Sequence, residues 1–218
     1  MNTRADDYTA SRASRVPKIL LIAFTAIWAV LAISPVDRAD WLLENLLVFA
    51  AIPVLIGTRH RMPFSNASYI CLFAFFVMHA IGAHYTYALV PYDRGFEALT
   101  GSTLSEITGW QRNHYDRLVH FSYGALLLRP SMELIARYAP PISGWRWVLP
   151  VLFVVSHSAI FELLEWMAVL VVAPDLGTAY LGTQGDEWDA QKDMALATVG
   201  AMLSACIVAL TSPRFNER

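Results

Sequence analysis

Long apolar runs alternate with short polar interruptions along this chain. Runs at 19–33, 41–56, 69–90, 147–172 and 193–211 hold few charges each. A helix needs ~20 mostly apolar residues to cross a bilayer, so each run predicts a membrane span. A sixth, at 113–128, is unusual. Only fourteen residues, Asp116 to Arg129, enclose its apolar part between charges. Either it is a re-entrant segment, or it begins near Asn113 and carries Asp116, Arg117 and His120 into the bilayer. Polar tails at 1–18 and 212–218 complete the plan, an all-α, six-span helical bundle. A cleavable leader is the rival for the first run, since Ala32-Ile33-Ser34 resembles a cleavage site. Pro35 and the long polar head favour a retained helix. Within the connection after the third run, Thr103-Leu104-Ser105-Glu106 matches a capping box. Leu104, Ile107 and Trp110 follow at the spacing of a short interfacial helix.

Composition agrees with this plan. The chain has 218 residues, 56% hydrophobic and 16% charged, against about a quarter charged in soluble domains. A net charge of -2 points away from nucleic acid, and the bilayer is the evident partner. Cys71 and Cys206 both fall inside apolar runs and predict small buried side chains. The tails and the second and fourth connections hold 11 of the 16 Lys and Arg residues. By the positive-inside rule both termini are then cytoplasmic, and the acidic stretch 181–194 is on the extracytoplasmic side.

That topology gathers the intramembrane polar groups. Glu44, His84, Asp116, His120, Glu162, Glu165, Asp186, Asp189 and Asp193 all fall in the outer halves, with His79 near mid-span. Ionisable groups at that depth cost several kcal/mol unless they share partners or water, so one outward-opening polar cavity is expected. Helical spacing supports it. Asp116, His120 and Gly124 follow one face, as do Ser158 with Glu162 and Glu165, and Asp186 with Asp189 and Asp193. Asp116, His120, Glu162, Glu165 and Asp193 are the acid–base candidates, and with His84 they are the candidate donors to a divalent metal. Arg117 would orient an anion. Gly182, Thr183, Gln184 and Gly185 would let backbone approach a ligand, beside Asp186 and Asp189 at a helix start.

Plainer roles compete. Asp186 and Asp189 suit a helix cap, and Asp116 with Arg117 an interfacial pair. His79 and His157 suit helix–helix hydrogen bonding. Trp41, Trp110, Trp147, Trp166 and Trp188 suit interface anchors. No HExxH, GxSxG, P-loop or paired CxxC occurs.

The segments 113–121, Glu162-Leu163-Leu164-Glu165-Trp166 and 181–194 resemble the signature of the YjdF-like bacterial inner-membrane proteins, a family without an assigned molecular function. The order Asp116-Arg117…His120-Phe121, then Glu162 or Glu165, then Asp193 is more distantly similar to VanZ-like membrane proteins. The Arg and Asn of their last motif have no counterpart here. That second likeness implies envelope lipids or peptidoglycan precursors. Three readings follow. One is a site that binds or hydrolyses an anionic or lipid-linked envelope ligand with a divalent metal. The second is an ion- or proton-coupled transporter, against which the nearly uncharged cytoplasmic halves weigh. The third is a polar cluster that only joins helices.

Overall fold

The computed structural model describes residues 15–171 and 184–211, and their regular elements are all helices. α1 (Val16–Leu31) is followed by α2 (Arg38–Thr58) and α3 (Asn66–His84). Two short helices come next, α4 (Tyr92–Thr100) and α5 (Leu104–Thr108). The chain then forms α6 (Tyr115–Tyr138), α7 (Trp145–Val171) and α8 (Asp189–Thr211). The spans expected at 19–33, 41–56, 147–172 and 193–211 fall on α1, α2, α7 and α8, although residue 172 lies outside the described set. The tail residues 1–14 and 212–218 lie outside it too.

Side-chain capping explains several helix starts. The Asp37 carboxylate accepts from Ala39 N (2.8 Å) and Asp40 N (2.9 Å) to begin α2. Ser65 Oγ accepts from Ser68 N (3.2 Å) at the start of α3. Thr103 and Glu106 complete the expected capping box of α5. Such caps satisfy N–H groups that the helix itself leaves unpaired.

Two elements differ from the hydropathy pattern. α3 stops at His84, six residues before 90. Thr86 and Tyr87 take positive φ (52° and 51°), a region that side chains other than glycine enter at a cost. The turn folds Tyr87 back over Gly82, where an added Cβ would collide with the phenol ring. The second difference is α6, a continuous helix of 24 residues, long enough at ~1.5 Å per residue to span ~36 Å. It runs through Arg129, Pro130 and Glu133 instead of ending at 128. Glu133 is tolerated because Ser65 and Ser68 of the neighbouring helix start hydrogen-bond it.

Among the described residues four helices, α2, α3, α7 and α8, are long and apolar enough to cross a membrane. α1 is a shorter apolar helix; α6 has the length but carries five charges. The distribution of side chains is that of a lipid-facing protein. Leu46, Phe49, Leu163, Leu170 and Ile207 are exposed, whereas Asp40, Asn45, His79 and Asp193 are buried. Apolar groups outside and polar groups inside suit a bilayer as solvent. The molecule is a polytopic helical bundle of about six spans.

α6 is its central element, packing on α3, α7 and α8. Its contact with α8 is the closest. A Cβ on Gly124 would overlap the Ala197 carbonyl, and one on Gly200 would overlap the Phe121 carbonyl. Small residues let backbones approach in this way inside membranes, where packing replaces the hydrophobic effect as the force between helices.

Candidate functional site

The Gly124–Gly200 contact sets the register of α6 against α8. Asp116 and His120 lie two turns and one turn before Gly124. Asp193 lies one turn before Ala197. Close approach at the glycines therefore brings the Asp116–His120 face against Asp193. One donor atom from each of Asp116, His120 and Asp193 lies within 4.8 Å of the other two. His120 Nε2 is 3.5 Å from Asp116 Oδ1 and 3.6 Å from Glu162 Oε1 on α7. These separations exceed hydrogen-bond length and leave space between the donors. Asp193 is 2% exposed. Its Oδ1, together with Glu162 Oε1 and Ser158 Oγ, has no hydrogen-bond partner among the described residues. A buried polar atom left unpaired costs about 1–3 kcal/mol. A cation held by carboxylates and one imidazole would relieve that cost.

Beside the cluster lies a cavity of about 400 Å³ between α2, α3, α6 and α7. Its polar end presents Glu44, His79, Asp116, His120, Ser158 and Glu165, and most of the remaining wall is apolar. Glu165 thus joins the site through the cavity, one turn along α7 from Glu162. His79 fastens α3 to α2 at this end. Its Nε2 is 3.0 Å from the Glu44 carbonyl, which can only accept, so Nε2 carries the proton. Its Nδ1 then accepts from the Tyr87 hydroxyl at 2.5 Å.

A clasp of charges closes the same end. Arg112 Nη1 meets Asp189 Oδ1 at 2.6 Å and Asp186 Oδ2 at 3.6 Å. Arg117 Nη2 contacts Asp186 and lies 3.4 Å from Asp189. Lys192 Nζ donates to both Asp186 oxygens at 2.8 and 2.6 Å. The Asp186 pKa is held down to about 2, first by the Lys192 hydrogen bond, then by the Trp188 N–H, and further by Arg117. His114 precedes α6 and accepts at Nδ1 from Arg117 Nη1 (3.3 Å). Burial and then the Arg117 and Arg112 charges push its pKa down.

Asp116, His120, Glu162 and Asp193 come together, with Glu165 on the adjoining cavity. His84, expected among the metal donors, is elsewhere: its Nδ1 donates to the Leu31 carbonyl at 2.7 Å. Arg117, expected to orient an anion, is engaged by Asp186 and Asp189. Asp186 does act at the start of α8, accepting from Trp188 N at 3.1 Å. Gln184 exchanges hydrogen bonds with the Asn113 backbone (3.0 and 3.1 Å), and Gly185 supplies a turn at φ 85°. Gly182 and Thr183 lie outside the described residues. His157 lines the cavity and bonds the Phe153 carbonyl of its own helix (2.9 Å). Two residues escaped the pattern. Asp40 is 1% exposed with neither carboxylate oxygen paired among the described residues; its i,i+4 spacing to Glu44 was the available signal. Arg112 sits in a polar connection, and nothing in the pattern marks it.

Comparison with known proteins supplies the family. The family described as "Predicted membrane protein (DUF2238)" matches residues 16–214. "Inner membrane protein YjdF" of Escherichia coli (strain K12) is 33% identical over 190 residues, covering 86% of each chain. No solved structure matches. The chain belongs to the DUF2238 family of inner-membrane proteins.

Proposed function

We propose that this DUF2238 protein holds a divalent metal at Asp116, His120 and Asp193, and uses it to bind an anionic or lipid-linked envelope ligand at the outer face of the inner membrane. The convergence of those three donors from two helices carries the reading. Two carboxylates and an imidazole suit Zn²⁺ or Mn²⁺, with Glu162 close enough to His120 to complete the set. The unpaired Asp193 Oδ1 supports it, because a buried acid without a partner needs a cation or a proton. A metal there would leave a coordination position for a phosphate oxygen and would lower the pKa of bound water. The charge distribution of the connecting loops favours the outward orientation.

Metal analysis of protein purified without chelator, then titrated with Zn²⁺ and Mn²⁺, tests this. The expected result is about one equivalent bound, lost in His120→Ala and Asp193→Asn, as removal of one ligand from a three- or four-ligand site predicts. Absence of stoichiometric binding by the unaltered protein refutes the metal site.

A further inference from the structure

We infer that the cavity between α2, α3, α6 and α7 takes a bilayer phospholipid with a primary amine in its headgroup, entering sideways between α2 and α7. The inference rests on the proposed metal site for one of its two headgroup contacts.

The mouth of the cavity indicates the route. Val54 on α2 and Ile160 and Leu164 on α7 line it, yet they are 60%, 51% and 56% exposed. α2 packs on α3, while α7 packs on α6 and α8, so the opening lies between α2 and α7. Leu46 on α2 and Leu163 on α7 are exposed apolar side chains of the same two helices. A ligand using this mouth comes from the hydrocarbon phase. Inside, Leu72, Phe75 and Phe76 form a slot beneath the polar end. Leu55, Leu72 and Phe76 also wall a second hollow of about 80 Å³ between α1, α2 and α3. These shared side chains stand between the two hollows, so an acyl chain in the cavity leaves by the same mouth. A volume near 400 Å³ suits a headgroup and part of one chain, with the rest remaining in the membrane.

Charge selects the headgroup. Among the described residues the cavity wall carries Glu44, Asp116 and Glu165, with no lysine or arginine. With Asp116 on the metal, Glu44 and Glu165 still face the cavity. A purely anionic headgroup would meet two acidic side chains there and no basic one, which is costly at membrane depth. A phosphate with an attached ammonium satisfies both demands. Its phosphate oxygen meets the metal, and its N–H donors meet Glu44 and Glu165 in charge-assisted hydrogen bonds.

Native mass spectrometry of the full chain in detergent, with equal amounts of phosphatidylethanolamine, phosphatidylcholine and phosphatidylglycerol added, tests the inference. Choline keeps the positive charge but has no N–H to donate. Ethanolamine lipid should be retained at least about tenfold over the other two, the effect of one charge-assisted contact. The Glu44→Gln variant should lose most of that preference while keeping its metal. Ala51→Trp, which fills the slot, should release all three lipids and keep the metal. Equal retention of the three lipids, or a preference that survives Glu44→Gln undiminished, overturns the inference and leaves the metal site standing. Ethanolamine preference in protein that binds no metal instead overturns the metal site, and the amine contact alone survives.

Discussion

α6 carries a buried carboxylate cluster toward each end, and the two are built differently. Toward its end, Glu133 is saturated. Its Oε1 accepts from Ser65 Oγ (2.5 Å) and Ser68 Oγ (2.8 Å), and its Oε2 accepts from Ser65 N (2.8 Å). Arg129 lies 3.8 Å away as an ion pair. Near its start, Asp116 faces His120, Glu162 and Asp193, and two carboxylate oxygens of that group have no partner among the described residues. Both clusters bear the desolvation cost of burial. The Glu133 cluster offsets it with hydrogen bonds that tie α3 to α6 and pair both carboxylate oxygens, with Arg129 Nε alone in that cluster left without a hydrogen-bond partner among the described residues, and so explains itself as structure. The Asp193 cluster leaves part of it unmet beside a cavity, which suits a group waiting for a ligand.

The contrast also bears on the transporter reading. Arg129 and Glu133 lie within α6, so that end of the bundle has more ionisable groups than hydropathy suggested. Glu133 is nevertheless joined to Ser65 and Ser68, and Arg129 to Glu133, and both are absent from the wall of the cavity. A relay would need them to exchange partners with the far cluster.

The comparison can be broken most severely at its hinge. Gly124→Leu would drive a side chain into the Ala197 backbone, at a cost of about 3 kcal/mol or more. Folded yield in detergent should fall, and metal binding should fall with it, because the α6–α8 register is shared. Retention of both would mean that the glycine contact does not set the site.

Next come the two acids themselves. Glu133→Ala should lower unfolding free energy by about 2 to 3 kcal/mol, since it leaves the Ser65 N–H and two hydroxyls to find new partners. Asp193→Asn should do the opposite in metal-free protein. Removing an unpaired buried acid should leave stability unchanged or raise it by up to about 1 kcal/mol, while abolishing metal binding. Equal destabilisation by both, in reversible unfolding assays, would erase the distinction.

The smallest effect concerns the clasp. Asp186 has its pKa depressed from 3.8 to about 2. The folded state therefore binds this proton less readily than the unfolded state. Its contribution is fully present above the unfolded value and is lost as pH falls through about 2. Thermal midpoints should show no Asp186-dependent change from pH 7 to 5. A gap between the unaltered protein and Asp186→Asn should close between about pH 4 and pH 2. A gap that closes near neutrality would assign the dependence to another group.

Much of this molecule is visible in one dimension because the bilayer imposes a simple rule. Backbone polar groups in hydrocarbon must be paired within the segment, so an apolar run of sufficient length becomes a helix whatever its neighbours do. The helical class, most of the spans, the capping box at Thr103, and the faces shared by Asp116 with His120 and Glu162 with Glu165 are therefore legible in the order of residues alone. Which faces meet is a matter of packing between helices. Hydropathy ended α6 at Arg129, because a charge is costly until a partner is known, and the partners of Glu133 lie 65 and 68 residues away. It set His84 among the metal donors, because depth along a span says nothing about direction around it. The ring turned instead to the Leu31 carbonyl. Arg112 gained a role only when α8 brought Asp189 beside it. Pairing across helices depends on rotation and register, and those were set by two glycines, Gly124 and Gly200, whose missing side chains let α6 and α8 close.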